Sequence, residues 1–193
     1  MTGLETLELA RRSAEEIAED DLQVLGDLRT DHAGETGAVF IYKGILAVSR
    51  HEPIRRFAEE HLETEKKHLA AIEIVLPSQH RSRLLVCWRA AGWLIGAVPA
   101  FFGPKTVYRT IDAVETFVDR HYQEQIDLLE TKRDYPALLA LLKSCQADEL
   151  HHRDEARGLA IEIERARPNM ITRLWLQIVS AGSEAAVKIA RAI

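Results

Sequence analysis

The sequence feature that most constrains this chain is a pair of short motifs in which a glutamate is followed three positions later by a histidine. A lone glutamate precedes each copy, by 30 positions for the first motif and 34 for the second. Residues i and i+3 share one face of an α-helix, so each motif can direct a carboxylate and an imidazole toward one point. The six residues are Glu35, Glu65, His68, Glu115, Glu149 and His152.

These residues match the ligand set of a carboxylate-bridged di-iron centre in a four-helix bundle. In such bundles two helices give one glutamate each and two give a Glu-x-x-His pair. Charged residues at helical spacing are more often a solvated face, but only two of the eight histidines follow a glutamate in this way. Apolar residues also share the motif faces, Leu69 and Ile72 beside the first and Leu142 and Cys145 beside the second. Because an unpaired buried carboxylate is costly, these faces favour a metal site.

The whole chain has the size and composition of one soluble domain. It has 193 residues, 47% of them hydrophobic and 28% charged. A net charge of −5 argues against general nucleic-acid binding. Cys87 and Cys145 fit neither a zinc framework nor a disulfide scaffold, so we expect both thiols to be reduced. The acidic N-terminus does not resemble a secretory signal or a transit peptide.

Prolines and polar capping residues divide the chain into six predicted helices after an N-terminal segment. Pro53, Pro104 and Pro136 suit the first turn of a helix, Pro77 ends one, and Asp134 is a plausible N-cap. No segment alternates like a strand, so we expect an all-α fold with antiparallel neighbours. We expect a lead-in over 1–20, either a loosely attached helix or partly disordered, and a single domain over 21–193. The predicted helices span 22–49, 53–76, 84–102, 104–131, 136–165 and 168–193.

The six predicted helices form two halves of similar plan, with helices one to three repeated as helices four to six. A tyrosine follows the lone glutamate by seven positions in each half, Tyr42 after Glu35 and Tyr122 after Glu115. Seven positions are nearly two turns, so each tyrosine shares a face with its glutamate. Both tyrosines are candidates for a role beside the metals or, equally, core residues with satisfied hydroxyls.

The third predicted helix is unusually apolar and lies in a stretch without acidic residues, from 74 to 111. Its uncharged part from Ala90 to Gly103 has 14 residues, whereas a membrane-spanning helix needs about 20. Arginines flank its aromatic residues, which suits a helix lying on an anionic membrane surface. The alternative is an ordinary buried helix. The sixth predicted helix can extend the same surface.

Several stretches together resemble the demethoxyubiquinone hydroxylases of ubiquinone biosynthesis, and the resemblance covers about Leu28 to the C-terminus. Thr36 and Ile45 stand where an aromatic residue and a glutamine are common in that family, beside the first ligand helix. The matching stretches are DHAGETGA at 31–38 followed by Ile41-Tyr42, EKKH at 65–68, AVE at 113–115, HYQEQ at 121–125, DELHH at 148–152 and SAG at 180–182.

The resemblance implies a ferritin-like four-helix bundle with two extra apolar helices and two irons held by the six residues above, Glu65 and Glu149 being the bridges. It implies a monooxygenase that uses O2 to hydroxylate the ring of a demethoxyubiquinone or demethoxyubiquinol with a polyisoprenoid tail. NADH is the reductant expected from the family, although the sequence has no Rossmann fingerprint. Tyr42, Tyr122 and His121 are the candidate catalytic side chains, and Asp31 and Asp148 are candidates to orient the ligand histidines.

We expect a peripheral protein on the cytoplasmic face of the cell membrane, with other ubiquinone-biosynthesis proteins, including a lipid-binding one, as partners. Two other functions fit a di-iron bundle: a rubrerythrin-like iron or peroxide protein, and a non-catalytic membrane-associated scaffold. Rubrerythrins usually carry Cys-x-x-Cys pairs, which this sequence lacks. A scaffold would not need all six ligand positions filled.

A polyisoprenoid substrate would have to reach the irons from the membrane side. The third and sixth predicted helices are strongly apolar and lie outside the four ligand helices. We therefore predict that they line a hydrophobic channel toward the face that carries Glu35, Tyr42, Glu115 and Tyr122. Ala97 is a probe of that channel if its side chain faces it.

Overall fold

The computed structural model describes residues 3–17, 21–163 and 168–192, and within these ranges the chain is helical and without strands. The fold is an all-α bundle, as predicted. A short 3-10 helix, Ser78–His80, lies between α3 and α4. The seven α-helices are α1 (Gly3–Glu16), α2 (Leu22–Val48), α3 (Glu52–Val75), α4 (Leu85–Phe101), α5 (Pro104–Lys132), α6 (Pro136–Ile163) and α7 (Met170–Ala192).

Local sequence signals explain most of the helix ends. Asp21 caps α2, where its carboxylate accepts a hydrogen bond of 3.1 Å from the backbone amide of Val24. Pro53 lies in the first turn of α3 and Pro104 opens α5. Gly103, just before α5, has a φ of +95°, a conformation that side chains disfavour. The predicted bounds of these helices are therefore correct to within one or two residues.

Four helices, α2, α3, α5 and α6, form the bundle that carries the six candidate ligands. Arg55 of α3 donates to the carbonyl of Leu46 near the end of α2. Glu73 near the end of α3 lies 3.5 Å from His32 in the first half of α2, so these two helices are antiparallel. The ion pairs of Asp112 with Arg157 and of Glu130 with Lys143 show the same for α5 and α6. Successive helices alternate in direction, as the short connections predicted.

The fourth helix packs against α2 rather than α3, and glycines bring the two backbones into contact. A Cβ on Gly92 would lie 2.3 Å from the carbonyl oxygen of Gly37, and one on Gly96 would lie 1.9 Å from that of Ile41. From one contact to the next, the residue numbers increase on both helices, so α4 runs parallel to α2. The seventh helix packs on α5 and α2. Its Trp175 donates to Thr110 of α5 at 2.9 Å.

Two apolar clusters enclose the middle of the bundle from its two ends. The first includes Leu25, Ile72 and Leu138, and the second includes Ile45 and Ile111. The ligand positions of the four bundle helices lie between these clusters along the chain. This arrangement places a polar layer inside an apolar core.

The N-terminal helix contributes Ala10, which is fully buried, to the first cluster. Its Glu16 accepts hydrogen bonds from the first free amides of α6, 2.9 Å from Ala137 and 3.3 Å from Leu138. The sequence suggested Asp134 for this capping role, but α6 begins at Pro136 and the capping carboxylate comes from another helix. Residues 1, 2, 18–20, 164–167 and 193, which the predicted lead-in and the last two predicted helices include, lie outside the described residues.

Large apolar side chains are exposed mainly on α4, just after it, and on α7. They include Phe101 at 77%, Phe102 at 72%, Met170 at 75% and Ile171 at 74% of full exposure. The alternative of an ordinary buried α4 is therefore wrong. Among the described residues, no helix is long and apolar enough to cross a membrane.

Candidate metal centre

The structure brings all six candidate ligands together in the middle of the bundle, where each side chain is at most 4% exposed. Glu35 comes from α2 and Glu115 from α5. The two Glu-x-x-His motifs come from α3 and α6, and each presents its glutamate and histidine on the inward face. Four helices thus supply the six side chains, as the spacing predicted.

The first group of possible ligand atoms comes from Glu35, Glu65, His68 and Glu149. One such atom from each residue lies within 4.8 Å of the others. Nδ1 of His68 is 3.0 Å from Oε1 of Glu149, 3.8 Å from Oε2 of Glu35 and 3.9 Å from Oε2 of Glu65. Three carboxylates and an imidazole therefore converge on one place.

The second group, from Glu65, Glu115, Glu149 and His152, meets the same 4.8 Å limit. Nδ1 of His152 is 3.1 Å from Oε1 of Glu65 and 3.3 Å from Oε2 of Glu149. Glu65 and Glu149 belong to both groups, so each can offer one oxygen to either side. The arrangement therefore offers two sets of possible metal ligands that share these two carboxylates.

Several oxygens of this cluster have no hydrogen-bond partner among the described residues: Oε2 of Glu35, both side-chain oxygens of Glu65, and Oε2 of Glu149. Nδ1 of His152 also lacks one, because its close carboxylate oxygens are not aligned for a hydrogen bond. Buried polar atoms are normally paired, and an uncompensated buried charge is very costly. Hard divalent or trivalent cations would satisfy these atoms, so the donor set fits a metal centre.

Without metal, the cluster must balance its charge with protons. Burial, together with the neighbouring carboxylates, raises the pKa of Glu35 and of Glu115 well above the usual value. Burial alone would lower the pKa of His152, but Glu149 and Glu65 raise it to about 11. The same environment therefore favours protonated glutamic acids and an imidazolium. Metal ions that bind here must displace those protons.

The two candidate tyrosines reach across the bundle to the lone glutamate of the other half. The Tyr122 hydroxyl donates to Oε1 of Glu35 at 2.5 Å, and the Tyr42 hydroxyl donates to Oε1 of Glu115 at 3.3 Å. Burial and the adjacent carboxylates raise the pKa of both phenols well above its usual value. Each tyrosine is therefore a neutral donor that fixes a ligand glutamate, and each hydroxyl is satisfied.

The two aspartates suggested for orienting the ligand histidines have different roles. Oδ2 of Asp148 lies 3.1 Å from Nε2 of His68, and it leaves Nδ1 facing the cluster, as expected. Asp31 does not contact His152; its Oδ1 accepts from the Gln125 amide at 2.6 Å instead. Spacing along one helix could not reveal this, because the partner comes from α5.

Sequence reasoning gave no role to His61, which the structure places directly beside the cluster. The centroid of its ring lies 4.0 Å from that of His152, in an edge-to-face contact. The centroid of the Phe57 ring lies 4.2 Å away on α3. Burial, with His152 and His151 adding, lowers the pKa of His61 to about 3, so this imidazole is neutral. Its position four residues before Glu65, on the same helical face, was the signal for this contact.

The third candidate catalytic residue, His121, lies one turn after Phe117 on α5 and away from the metal ligands. Its Nε2 is 2.7 Å from Oγ1 of Thr30. Burial lowers the pKa of His121 to about 4. The imidazole is therefore neutral and can accept or donate one hydrogen bond at each nitrogen.

A cavity of about 250 Å³ lies between α2, α4, α5 and α7 and reaches the metal ligands. Its walls are mostly glycine, alanine and branched aliphatic residues. On α4 the lining residues are Trp88, Ala91, Gly92 and Ile95, and on α7 they are Gly182, Ser183, Ala186, Val187 and Ala190. The two apolar helices thus line a route to Glu35, Glu115 and Tyr122, as predicted.

The cavity differs from the predicted channel in one detail, and the condition placed on the Ala97 probe is not met. Tyr42 is not among the described residues that line the cavity. Ala97 is buried against α2, where its backbone nitrogen lies near Gly44, and it does not line the cavity either. Ala91, six residues earlier on α4, lines the cavity and meets that condition.

The sequence model of a known family, described as ubiquinone biosynthesis protein COQ7, matches residues 24–190. The chain belongs to the COQ7 family. The match includes all six candidate ligands and both apolar helices. It confirms the resemblance to demethoxyubiquinone hydroxylases that the sequence motifs predicted.

Relatives in animals and bacteria agree with this COQ7 membership. The mouse (Mus musculus) NADPH-dependent 3-demethoxyubiquinone 3-hydroxylase, mitochondrial, is 32% identical over 164 residues, 83% of this chain and 73% of the relative. The enzyme of the same name from Caenorhabditis elegans is 30% identical over 171 residues, 86% and 88% of the two chains. The 3-demethoxyubiquinol 3-hydroxylase of Rhodospirillum rubrum is 38% identical over 130 residues, 66% and 60% of the two chains.

Proposed function

We propose that this chain is a di-iron monooxygenase that hydroxylates the ring of a polyprenyl demethoxyubiquinone or demethoxyubiquinol in ubiquinone biosynthesis. The observation that carries the proposal is the pair of ligand groups sharing Glu65 and Glu149 at the inner end of an apolar cavity. The hydroxylases of the same family act on a demethoxyubiquinone, as their names state. A flat ring with an apolar tail suits a cavity of this lining.

The proposed fold is ferritin-like, built from two repeats that consist of α2 to α4 and α5 to α7. In each half the third helix packs on the first: α4 lies on α2, and α7 lies on α5. The crossed tyrosine contacts support the same symmetry, because each half gives its tyrosine to the other half's glutamate. In this arrangement α4 and α7 flank the cavity from opposite repeats.

Bound iron would supply the redox chemistry that activates O2 and delivers one oxygen atom to the ring. The protein holds the site for that chemistry. Glu65 and Glu149 face both ligand groups, and Asp148 fixes the tautomer of His68. Tyr122 and Tyr42 orient Glu35 and Glu115 by hydrogen bonds.

The three candidate catalytic side chains have different access to a substrate in the cavity. Tyr122 and His121 line it, so both can touch the ring. His121 is neutral and held by Thr30, which suits it to receive or return a proton of a ring hydroxyl. Tyr42 acts through Glu115, and we propose it as a positioning residue.

The electron donor we propose is a reduced nicotinamide dinucleotide. The family resemblance suggested NADH, whereas the names of the mouse and Caenorhabditis elegans relatives specify NADPH. Anaerobic mixing of the iron(III) protein, the quinone and each nucleotide in turn should reduce the iron. The faster of the two reductions identifies the donor.

We also propose that the protein works at a membrane surface, on the cytoplasmic face of the cell membrane, beside other ubiquinone-biosynthesis proteins. The exposed apolar residues of α4 and α7 support this proposal because they belong to the two helices that line the cavity through which a lipid would enter. A lipid-binding partner could deliver the substrate to the same face.

The proposal is tested by metal analysis and by isotope labelling of the product. Iron-loaded protein given reductant, ¹⁸O2 and a demethoxyubiquinone should hold about two irons per chain and should give a ring hydroxyl that carries ¹⁸O. Glu149→Ala should lose iron and turnover together, because both ligand groups use this residue. Glu124→Ala, on the exposed face of α5, is the matched control and should keep both.

Three outcomes would overturn the assignment. If Glu149→Ala retains two irons and normal turnover, the assignment of the six ligands is wrong. Parent protein that binds iron and consumes peroxide but leaves the quinone unchanged would favour the rubrerythrin-like function. A chain that binds no iron at all would favour the scaffold.

A further inference from the structure

One end of the cavity carries a buried carboxyl group that the metal ligands do not use. Asp31 lines the cavity one helical turn before Glu35, on the same face of α2, and is 4% exposed. Its Oδ1 accepts from Gln125, but its Oδ2 has no hydrogen-bond partner among the described residues. Burial of a polar atom without a partner is unfavourable.

The described contacts of Asp31 within the protein account for only one of its two carboxyl oxygens. Arg191, the cation whose charge acts on Asp31, is hydrogen-bonded to Asp27 at 2.5 Å. Burial raises the pKa of Asp31 to about 8, so at neutral pH the group is mostly a neutral acid that can donate a hydrogen bond. A leucine of similar size would leave only the Gln125 amide without its acceptor.

Two further polar side chains stand beside Asp31 on the cavity wall. Oγ1 of Thr30 is 2.7 Å from Nε2 of His121, and that nitrogen is 3.6 Å from Oδ1 of Asp31. All three residues line the cavity, whereas its walls on α4 and α7 are nearly all apolar. The cavity thus has a polar end, separate from the metal ligands, and a long apolar side.

We propose that Asp31 forms a hydrogen-bonding subsite for one oxygen of the substrate ring, with Thr30 and His121 at its edge. The inference rests on the proposed function and names the residue that fixes the ring in the cavity. Asp31 and Glu35 are separated by one turn of helix, about 5.4 Å, which is close to the span of a substituted benzene ring. A ring oxygen held at Asp31 therefore leaves another part of the ring facing the metal ligands.

The test compares two ligands that share one short isoprenoid tail. One carries the demethoxyquinol ring, and the other carries a phenyl ring without oxygens. Calorimetric titration of iron-loaded protein without O2 gives both dissociation constants. Asp31→Leu should weaken the quinol about 10- to 100-fold, the effect of leaving a buried polar group unpaired, and should leave the phenyl ligand unchanged within about twofold.

Two other variants separate the subsite from a structural role. Asp31→Asn keeps an oxygen for Gln125 and places an amide donor at Oδ2, so it should retain most of the quinol affinity. Asp27→Asn makes the same change one turn earlier, in a buried carboxylate paired with Arg191. Asp27 is not among the described residues that line this cavity, so its variant should leave the ratio of the two affinities unchanged.

The inference is overturned if Asp31→Leu weakens both ligands equally or neither. It is also overturned if Asp27→Asn changes the ratio as much as Asp31→Leu does. Failure of the proposed function gives a different result, because the parent protein would then bind the quinol no better than the phenyl ligand. If the parent forms product and Asp31→Leu leaves the ratio of the two affinities unchanged, the subsite is wrong but the proposed function stands.

Discussion

At the scale of single residues, the two cross-bundle tyrosines are the contacts that tie the halves of the site together. Both are fully buried, and both donate to a lone glutamate on the opposite half. The two bonds differ in length, 2.5 Å for Tyr122 and 3.3 Å for Tyr42. Hydrogen bonds weaken as they lengthen, so the two tyrosines should contribute unequally.

We therefore predict that Tyr122→Phe is more harmful than Tyr42→Phe. Loss of the Tyr122 hydroxyl leaves Glu35 without a hydrogen bond on either oxygen among the described residues. It should lower the free energy of unfolding of the metal-free protein by about 1.5 to 3 kcal/mol. Tyr42→Phe should cost about 0.5 to 1.5 kcal/mol. Urea unfolding measures both, and equal losses or the reverse order would contradict the hydrogen-bond lengths.

The ligand positions could be predicted from the sequence because they depend only on helical spacing, which is the same in every α-helix. The partners of Tyr42 and Asp31 could not, because they lie on other helices. Tyr42 was expected on the face of Glu35, but its hydroxyl donates to Glu115 of α5, a partner that spacing along α2 does not reveal. Asp148 was a candidate to orient a ligand histidine, but the sequence did not say that this would be His68, for the same reason.

At the scale of helices, the contact of α2 with α4 is closer than ordinary side chains allow. Gly44 contributes to it as well, since a Cβ there would lie 2.2 Å from the carbonyl oxygen of Trp93. Glycines permit this approach because they present no side chain between the backbones. The close approach leaves the opposite side of α4 outside the core, which explains how an apolar helix comes to expose Phe101 and Leu94.

Gly96→Ala should therefore destabilise the protein. The new Cβ would stand 1.9 Å from the carbonyl oxygen of Ile41, which is backbone and cannot rotate away. Overpacking of this kind costs about 1 to 3 kcal/mol. Gly158→Ala makes the same change in α6, where a Cβ would meet nothing within 4 Å. It should stabilise the helix by up to about 1 kcal/mol. If the two variants have similar urea midpoints, the backbones of α4 and α2 are not in the close contact described above.

Helix boundaries followed from the sequence wherever proline or a capping side chain marks them, as at Asp21, Pro53 and Pro104. The sequence did not predict that α4 packs on α2. Glycines within an apolar run indicate a close approach between helices, but they do not identify the other helix. Ala97 shows the consequence. It was chosen as a channel probe, but it turns toward Gly44 of α2. The cap of α6 was also missed, since Glu16 is more than a hundred residues away in sequence.

At the scale of the whole molecule, four of the six most exposed large apolar side chains of the described residues lie at one end. Phe101 and Phe102 lie where α4 ends, beside the end of α2. The first turns of α7, with Met170 and Ile171 exposed, pack beside the start of α5 at the same end. Leu22 is as exposed as Phe101 but starts α2, at the opposite end of the bundle. This asymmetry allows membrane association to be tested against a matched apolar residue.

The last prediction is that this end of the molecule binds anionic vesicles. Replacement of Phe101 and Phe102 by serine should weaken association at least about tenfold, because burying such a side chain is worth about 1.5 to 3 kcal/mol. Because both phenylalanines are exposed, their replacement should reduce the free energy of unfolding only slightly. Binding should also weaken as salt is raised, since exposed Arg173, close to Ile171 at the start of α7, attracts anionic lipid. Leu22→Ser should bind as the parent does. Vesicle co-sedimentation gives these affinities, and an equal loss in Leu22→Ser, or no binding by the parent, would show that the apolar end does not serve a membrane.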